Sequence, residues 1–268
     1  MRFENNKDII EYFNFSKKQV EQFLSGSGEL LALAKETDSF VRKVIEDGHE
    51  LNPMASFLFI NSYFLLLASF KTAASGHVAA VYPQIRAALE SCCYGYLMSR
   101  DAELIDVWSY RDRSEDDRKK AKRKLGAAVS DVKRMLKIEG HESLSEMVET
   151  GYESSITFGA HPNSRSVIGH LESQPDDGSE YWRFNLNCIY DTESSEAQRA
   201  VFSCIEYGLM IAGITVISHQ PHPEHNELML EFMKIHDSKE ALIATLGWNI
   251  HSPNSDASQV IGESNQSD

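Results

Sequence analysis

A mostly α-helical bundle carrying one small β-hairpin is the fold this sequence predicts, on three observations. Apolar residues recur at helical spacing in segment after segment from Glu29 onward. Turn-forming clusters such as "DGHELNP", "SGH" and "QPHPEH" separate those segments. Only about residues 165–190 leave the helical period, where "SRSVIGHLES" and "EYWRFNLNCIY" flank the turn-rich "QPDDGS". That region is the expected hairpin.

The elements follow in order. From Glu29, residues Leu30, Leu33, Phe40, Val41, Val44 and Ile45 share a helical face that ends before "DGHELNP". The apolar run "MASFLFINSYFLLLASF" (54–70) comes next. As a helix it spans only about 25 Å, short of a bilayer core of about 30 Å, and it carries Asn61 and several serines. It is the only strong candidate for a membrane span, and it is read instead as a helix buried on most sides. A third helix covers 78–99, followed by the short "DAELIDVWSYR". Ser114 with Asp117 three residues on forms a capping box, with acids at the positive helix end. The apolar positions Leu125, Val129, Val132 and Leu136 carry that helix to about Lys137. Leu144, Val148, Tyr152 and Ile156 give another, closed near Gly159. Beyond the hairpin, helices are expected over 194–218 and 224–247, with Phe202, Ile205 and Leu209 in the first and Leu228, Phe232 and Ile235 in the second. The polar residues 251–268 read as a disordered tail, leaving 1–250 as a single helical-bundle domain.

Composition narrows the function classes. The chain has 268 residues, 42% hydrophobic and 25% charged, the mixture of a globular protein with a core of its own. A formal charge of −14 argues against coating nucleic acid or anionic lipid by bulk electrostatics, although a local basic patch escapes that argument. Cys92, Cys93, Cys188 and Cys204 contain no CxxC pair and suit a reducing cytoplasm better than a disulfide framework. "MRFENNKDIIEYF" lacks the apolar core of a signal peptide.

Several polar groups stand where polarity is costly. Between His77 and Ser99 the only formal charges are Arg86 and Glu90, four residues apart on one helix face. They are either a pair that bridges to a neighbouring helix or side chains turned toward a cavity or interface. In "TFGAHPNSRSVIGH", Gly159 suits a left-handed helix cap and Pro162 blocks helix continuation. Those roles leave His161, Asn163 and Arg165 unexplained, so they are candidates for a site. Arg118, Lys119, Lys120, Lys122, Arg123 and Lys124 ("RKKAKRK") lie in the helix over 114–137, mostly off its apolar face, as a surface for RNA or a protein partner. His219, His222 and His225 lie beside Glu224 and Glu227, but two prolines keep the three imidazoles off one helix face. No metal and no cofactor are expected, and GxSxG, GxGxxG and Walker A motifs are lacking.

The stretch "IRAALESCCYGYLMSRDAELIDVWSYRD", followed by "FGAHPN", resembles a pattern in bacterial helical proteins grouped loosely with the HEPN-like bundles. An Arg-x-x-x-Glu helix there precedes a Trp-x-x-Arg segment and a histidine-bearing loop. The resemblance covers about residues 78–170 and falls on Arg86, Glu90, Trp108, Arg111 and His161. HEPN ribonucleases are similar in an Arg-x4–6-His motif that cleaves RNA without metal, and "RSVIGH" supplies Arg165 and His170. The same spacing recurs at Arg42/His49 and Arg134/His141. Two functions are thus expected. The first is a cytoplasmic regulatory or interaction protein, a homodimer active in bacterial stress or phage defence. The alternative is a metal-independent HEPN-like ribonuclease or toxin.

Overall fold

Asp8 opens the first helix by accepting hydrogen bonds from the backbone N–H groups of Ile10 (2.8 Å) and Glu11 (2.9 Å). The structure, a computed structural model, describes residues 8–26, 28–46, 51–160, 171–175, 182–186, 188–219 and 224–248. Its helices are α1 (Ile9–Ser25), α2 (Glu29–Glu46), α3 (Pro53–Ala74), α4 (Val78–Arg100), α5 (Glu103–Ser109), α6 (Glu115–Leu125), α7 (Ala128–Ile138) and α8 (Glu142–Ser155). A π-helical turn, Ile156–Ala160, extends α8 directly. After the β structure come α9 (Ser195–Ser218) and α10 (His225–Leu246). The fold is a mostly helical bundle.

α9 is the central helix. Eighteen of its residues, from Ala197 to Ser218, are buried, and it packs on α2, α3, α4, α8 and α10. Ser194 caps it by accepting from the N–H of Ala197 (3.2 Å). Gly208 and Gly213 let neighbours in: a Cβ on Gly208 would stand 2.6 Å from Thr37 Cγ2, and one on Gly213 would stand 3.1 Å from the Leu144 methyls. The core around α9 includes Phe40, Leu66, Ile85, Leu89, Ile205, Leu209 and Ile211, all fully buried.

α3 and α4 form the tightest pair. A three-residue turn at 75–77 makes them antiparallel, with Gly76 at φ 81°. Gly95 permits their approach, since a Cβ there would lie 3.1 Å from the Phe59 ring and 3.2 Å from Ala55 O. Hydrogen bonds stitch the seam: Asn52 donates to Met98 O (2.8 Å), Ser62 to Ala88 O (2.7 Å) and Asn61 to Ser91 Oγ (3.0 Å).

Four expectations need correction here. The helix read over 114–137 is two helices, because the chain leaves α6 at Gly126 and restarts at Ala128. Only 39% of the most apolar window of α3 is buried, against 89% for α9, so the run 54–70 is not enclosed on most sides. Nor is it alone: both α3 and α9 are long and apolar enough to cross a membrane, and α9 is the one that forms the core. Gly159 is not a left-handed cap, since its φ lies outside the positive range, and it serves a close approach described below. In addition, α1 precedes the first helix read from the sequence.

Of the expected hairpin region, 165–190, the described β structure is ten residues. Leu171–Pro175 (β1) and Trp182–Leu186 (β2) pair antiparallel, with Leu171 opposite Leu186 and Pro175 opposite Trp182. Residues 165–170 and 176–181 lie outside the described residues, as does the expected tail 251–268.

Candidate functional site

Tyr82, Arg86 and Glu90 recur every four residues, so they line one side of α4. α8 and the π-helical turn pack against α4. A Cβ on Gly159 would stand 2.8 Å from Ala79 O and 3.0 Å from Tyr82 Cβ, so only glycine seats the turn this close to the first turns of α4. The Phe158 ring then lies 5.6 Å from that of Tyr82.

One turn further along α4, Arg86 Nε donates to Glu90 Oε1 at 2.9 Å. Its Nη2 donates to the Tyr152 hydroxyl at 2.9 Å, and Tyr152 donates to Glu90 Oε1 at 3.3 Å. The guanidinium carbon also sits 4.9 Å from the Tyr152 ring centroid. This closed ring of hydrogen bonds bridges α4 to α8. Arg86 is held firmly cationic: partial burial opposes the charge, but the Glu90 carboxylate and Tyr152 outweigh it. Side-chain exposures of 23% for Arg86 and 38% for Glu90 place the pair at the edge of the core rather than in a desolvated interior. Tyr152 was missed in the sequence because it read there as an apolar helix position.

Next to this ring, Tyr207 on α9 donates its buried hydroxyl to Gly151 O, and burial pushes its pKa upward. His161, Arg165 and His170 lie outside the described residues, as does Asn163. Of the five expected catalytic residues the structure therefore joins Arg86 and Glu90. As they stand the two cancel in charge, so a phosphate approaching Arg86 would meet the Glu90 carboxylate on its Nε side.

The basic run forms a second surface. Ser114 caps α6 by accepting from the N–H of Asp117 (3.1 Å) and donates to that carboxylate (2.7 Å). Within α6 only Ala121 and Leu125 are buried, one turn apart on one side. At about 100° per residue, the other six positions from Arg118 to Lys124 fan over roughly 240° of the circumference. All six are cationic and exposed. Arg118 reaches Glu115 (3.5 Å) and Asp112 (3.9 Å). Among the described residues Lys119, Lys120, Lys122, Arg123 and Lys124 form no ion pair. Two arginine–aromatic pairs stand just before α6: Arg111 lies 5.7 Å from the Trp108 ring, and Arg113 lies 3.5 Å from that of the exposed Tyr110.

The histidine-rich connection is described only at its two ends. His219 ends α9, buried edge-on to Phe59 at 6.2 Å, and His225 begins α10. His222 lies outside the described residues, and among the described residues no three metal-ligating side chains cluster. The cysteines are free, with Cys92, Cys93 and Cys204 buried and Cys188 exposed. Burial pushes the thiols of Cys92, Cys93 and Cys204 far above the range of a reactive nucleophile.

Comparison with known proteins adds no relative: no family model, no curated protein and no solved structure matches the chain.

Proposed function

We propose that this chain is a helical interaction protein that engages RNA through α6, as a cytoplasmic component of a bacterial stress or phage-defence response. One observation carries the reading. Five exposed cations with no described ion-pair partner crowd the last two turns of a short helix in a chain of net charge −14. A solvated helix face normally mixes signs, whereas the last two turns of α6 hold a single sign. At physiological salt the Debye length is about 8 Å, so acids farther away than that do little to cancel the field of the last two turns of α6. Tyr110, exposed and stacked on Arg113, favours RNA over an acidic peptide, because an aromatic–guanidinium pair is a surface on which a base can stack. The free thiols fit a reducing compartment. The stress or defence setting rests on the HEPN-like resemblance alone.

A second reading, a metal-independent ribonuclease, draws on one placement. Arg86 lies beside the helix and turn that lead into residue 161. One series of measurements separates the two. A fluorescent single-stranded RNA should bind with a log–log salt slope of about −3.5 if five cations contact phosphates, so affinity falls about a hundredfold between about 50 and 200 mM salt. Replacing Lys119, Lys120, Lys122, Arg123 and Lys124 by Glu should abolish binding. Binding that survives this change, or ignores salt, refutes the α6 reading. Intact RNA after incubation in EDTA favours the interaction protein. Turnover that falls about a hundredfold in Arg86→Ala, Arg165→Ala, His161→Ala and His170→Ala establishes the ribonuclease instead.

A further inference from the structure

α3 carries no formal charge from Met54 to Phe70, yet a long side of it is open to solvent. Phe57 is 62% exposed and Phe64 is 61% exposed. They stand seven residues apart, two helical turns, and Asn61 and Ala68 continue the same stripe while Ile60 and Leu67 border it. The hydrogen bonds from Asn61 to Ser91 (3.0 Å) and from Thr72 to Gln84 (3.0 Å) fix α4 along one rim of the stripe. The positions of α4 in line with those contacts are Ala80 and Ala87, both small. The two helices thus present a broad, uncharged, largely apolar platform, which a lone chain in water does not favour.

We propose that this platform is the contact between two copies of the chain. The sequence of α3 suits an antiparallel, two-fold contact centred between Ile60 and Asn61. In that arrangement Phe57 of one copy packs on Phe64 of the other, and the reciprocal pair forms by symmetry. Asn61 meets its own counterpart near the axis, where a carbonyl oxygen and the amide hydrogen not used on Ser91 can exchange hydrogen bonds. The small residues of α4 admit the flanking side chains of the partner copy.

Charge supports this occupant. A strongly charged partner finds no complement on α3 before Lys71, and a second copy brings a face that is equally uncharged. A membrane fits less well. Interfacial helices rim their apolar face with many basic residues, whereas α3 offers Lys71 alone on a chain of net charge −14. The area is adequate. Two phenylalanines and their neighbours would bury about 500 Å² per copy, about 1,000 Å² in total, near the lower bound of specific interfaces. Interfaces at this end of the size range belong to weak, reversible assemblies, so the expected dimer is one that dissociates on dilution.

Sedimentation velocity of the full chain over a concentration series should show a monomer–dimer equilibrium. Phe57→Glu or Phe64→Lys should each raise the dissociation constant by about a hundredfold, the loss expected at a central aromatic contact. Thermal melts on samples dilute enough to be monomeric should stay at wild-type values, because both side chains are exposed in the single chain. The register makes a sharper claim: combining Phe57→Glu with Phe64→Lys places opposite charges across both reciprocal contacts, and dimerisation should return. A chain that is monomeric at about 100 μM overturns the proposal. So does a dimer indifferent to both single changes, which would place the interface elsewhere. Failure of the double variant to recover, with its fold intact, overturns the antiparallel register on which the proposal rests. Binding to neutral phosphatidylcholine vesicles, lost in Phe57→Glu and without any dimer in solution, assigns the platform to lipid and overturns it as well.

Discussion

Gly159→Ala should destabilise the chain by an amount that the approach of the π-helical turn to α4 sets. The new methyl carbon would stand 2.8 Å from Ala79 O, 3.0 Å from Tyr82 Cβ and 3.3 Å from Tyr82 Cδ2, against 3.4 Å for an ordinary contact. Ala79 O is backbone in the first turn of α4 and cannot rotate away. The turn must therefore lift by about 0.6 Å, loosening the contact of Phe158 on Tyr82. Overpacking of this kind costs about 1–3 kcal/mol. The smaller conformational freedom of unfolded alanine offsets about 0.4–1 kcal/mol, leaving a net loss of about 1–2 kcal/mol. At this chain length that lowers Tm by about 2–8 °C. Two controls isolate the cause. Gly28 has nothing within 4 Å and no positive φ, so Gly28→Ala should not lower Tm and should gain about 0.4–1 kcal/mol from the unfolded state. Gly140 has equally open space but a φ of 85°, so Gly140→Ala should lose about 1 kcal/mol through backbone strain alone. Hydrogen exchange should accelerate at Ile156–Ala160 in Gly159→Ala, and in neither control. Wild-type stability in Gly159→Ala would refute the close-approach reading.

Two further outcomes follow from the polar contacts. Arg86→Ala should cost about 1–2 kcal/mol in urea unfolding, since it removes charged hydrogen bonds whose stranded partner, Glu90, is 38% exposed and can be rehydrated. A loss above about 4 kcal/mol would mean a desolvated pair. His77 joins α1 to the α3–α4 corner. Its Nδ1–H donates to Ser75 Oγ (2.7 Å), because Ser75 itself donates to Thr72 O, and its Nε2 accepts from the Tyr12 hydroxyl. Burial lowers the His77 pKa below its ordinary value of 6.5. The neutral ring therefore contributes stability that is fully present above about pH 6.5 and lost as pH falls through the lower folded value. Exchange of the α1 amides should speed up at about pH 5 relative to about pH 7.5, and His77→Gln should flatten that difference. An equal response in both chains would exclude His77 as the cause.

What could be read from the sequence was mostly what local chemistry determines. The Ser114 cap marks the start of α6 through a few neighbouring residues, and the ranges expected for the last two helices, 194–218 and 224–247, fall within a residue of α9 and α10. α1 was passed over although Ile9, Phe13, Val20 and Leu24 recur at helical spacing, and Ile9, Phe13 and Leu24 are exposed in the fold. Its one fully buried residue is Gln19, whose side chain accepts from the N–H of Thr192 (3.0 Å), and Phe23 packs partly buried against the core. The choice of centre failed for another reason. α3 and α9 are both apolar on nearly every side, and a single sequence does not say which of two such helices lies inside. The second would have been visible had the run "MIAGITVIS" at the end of α9 been weighed against 54–70. The Arg86–Glu90 spacing was legible as a helix pair, whereas its third member, Tyr152, lies 62 residues beyond Glu90 and follows only from the packing of α8 on α4.

The two proposed surfaces lie on different elements, and together they make a prediction that neither makes alone. If α3 joins two copies, each assembly carries two α6 arms. A short RNA that fills one arm gains nothing from the second. A long RNA that reaches both turns the second contact into an intramolecular one, with an effective concentration up to about the millimolar range for a flexible tether. Because each arm rests on salt-sensitive contacts and binds weakly, the gain should reach about tenfold or more at physiological salt. Phe57→Glu, which leaves every α6 cation in place, should therefore weaken binding of a long RNA and leave a short one untouched. Anisotropy with RNAs of increasing length, in wild type and Phe57→Glu, reads this directly. Equal loss at every length would mean that Phe57 acts on the arm itself, and equal affinity at every length would mean that the arms cannot engage one strand together. Either result would separate dimerisation from RNA binding, because only a shared ligand makes an uncharged face on α3 matter to a basic face on α6.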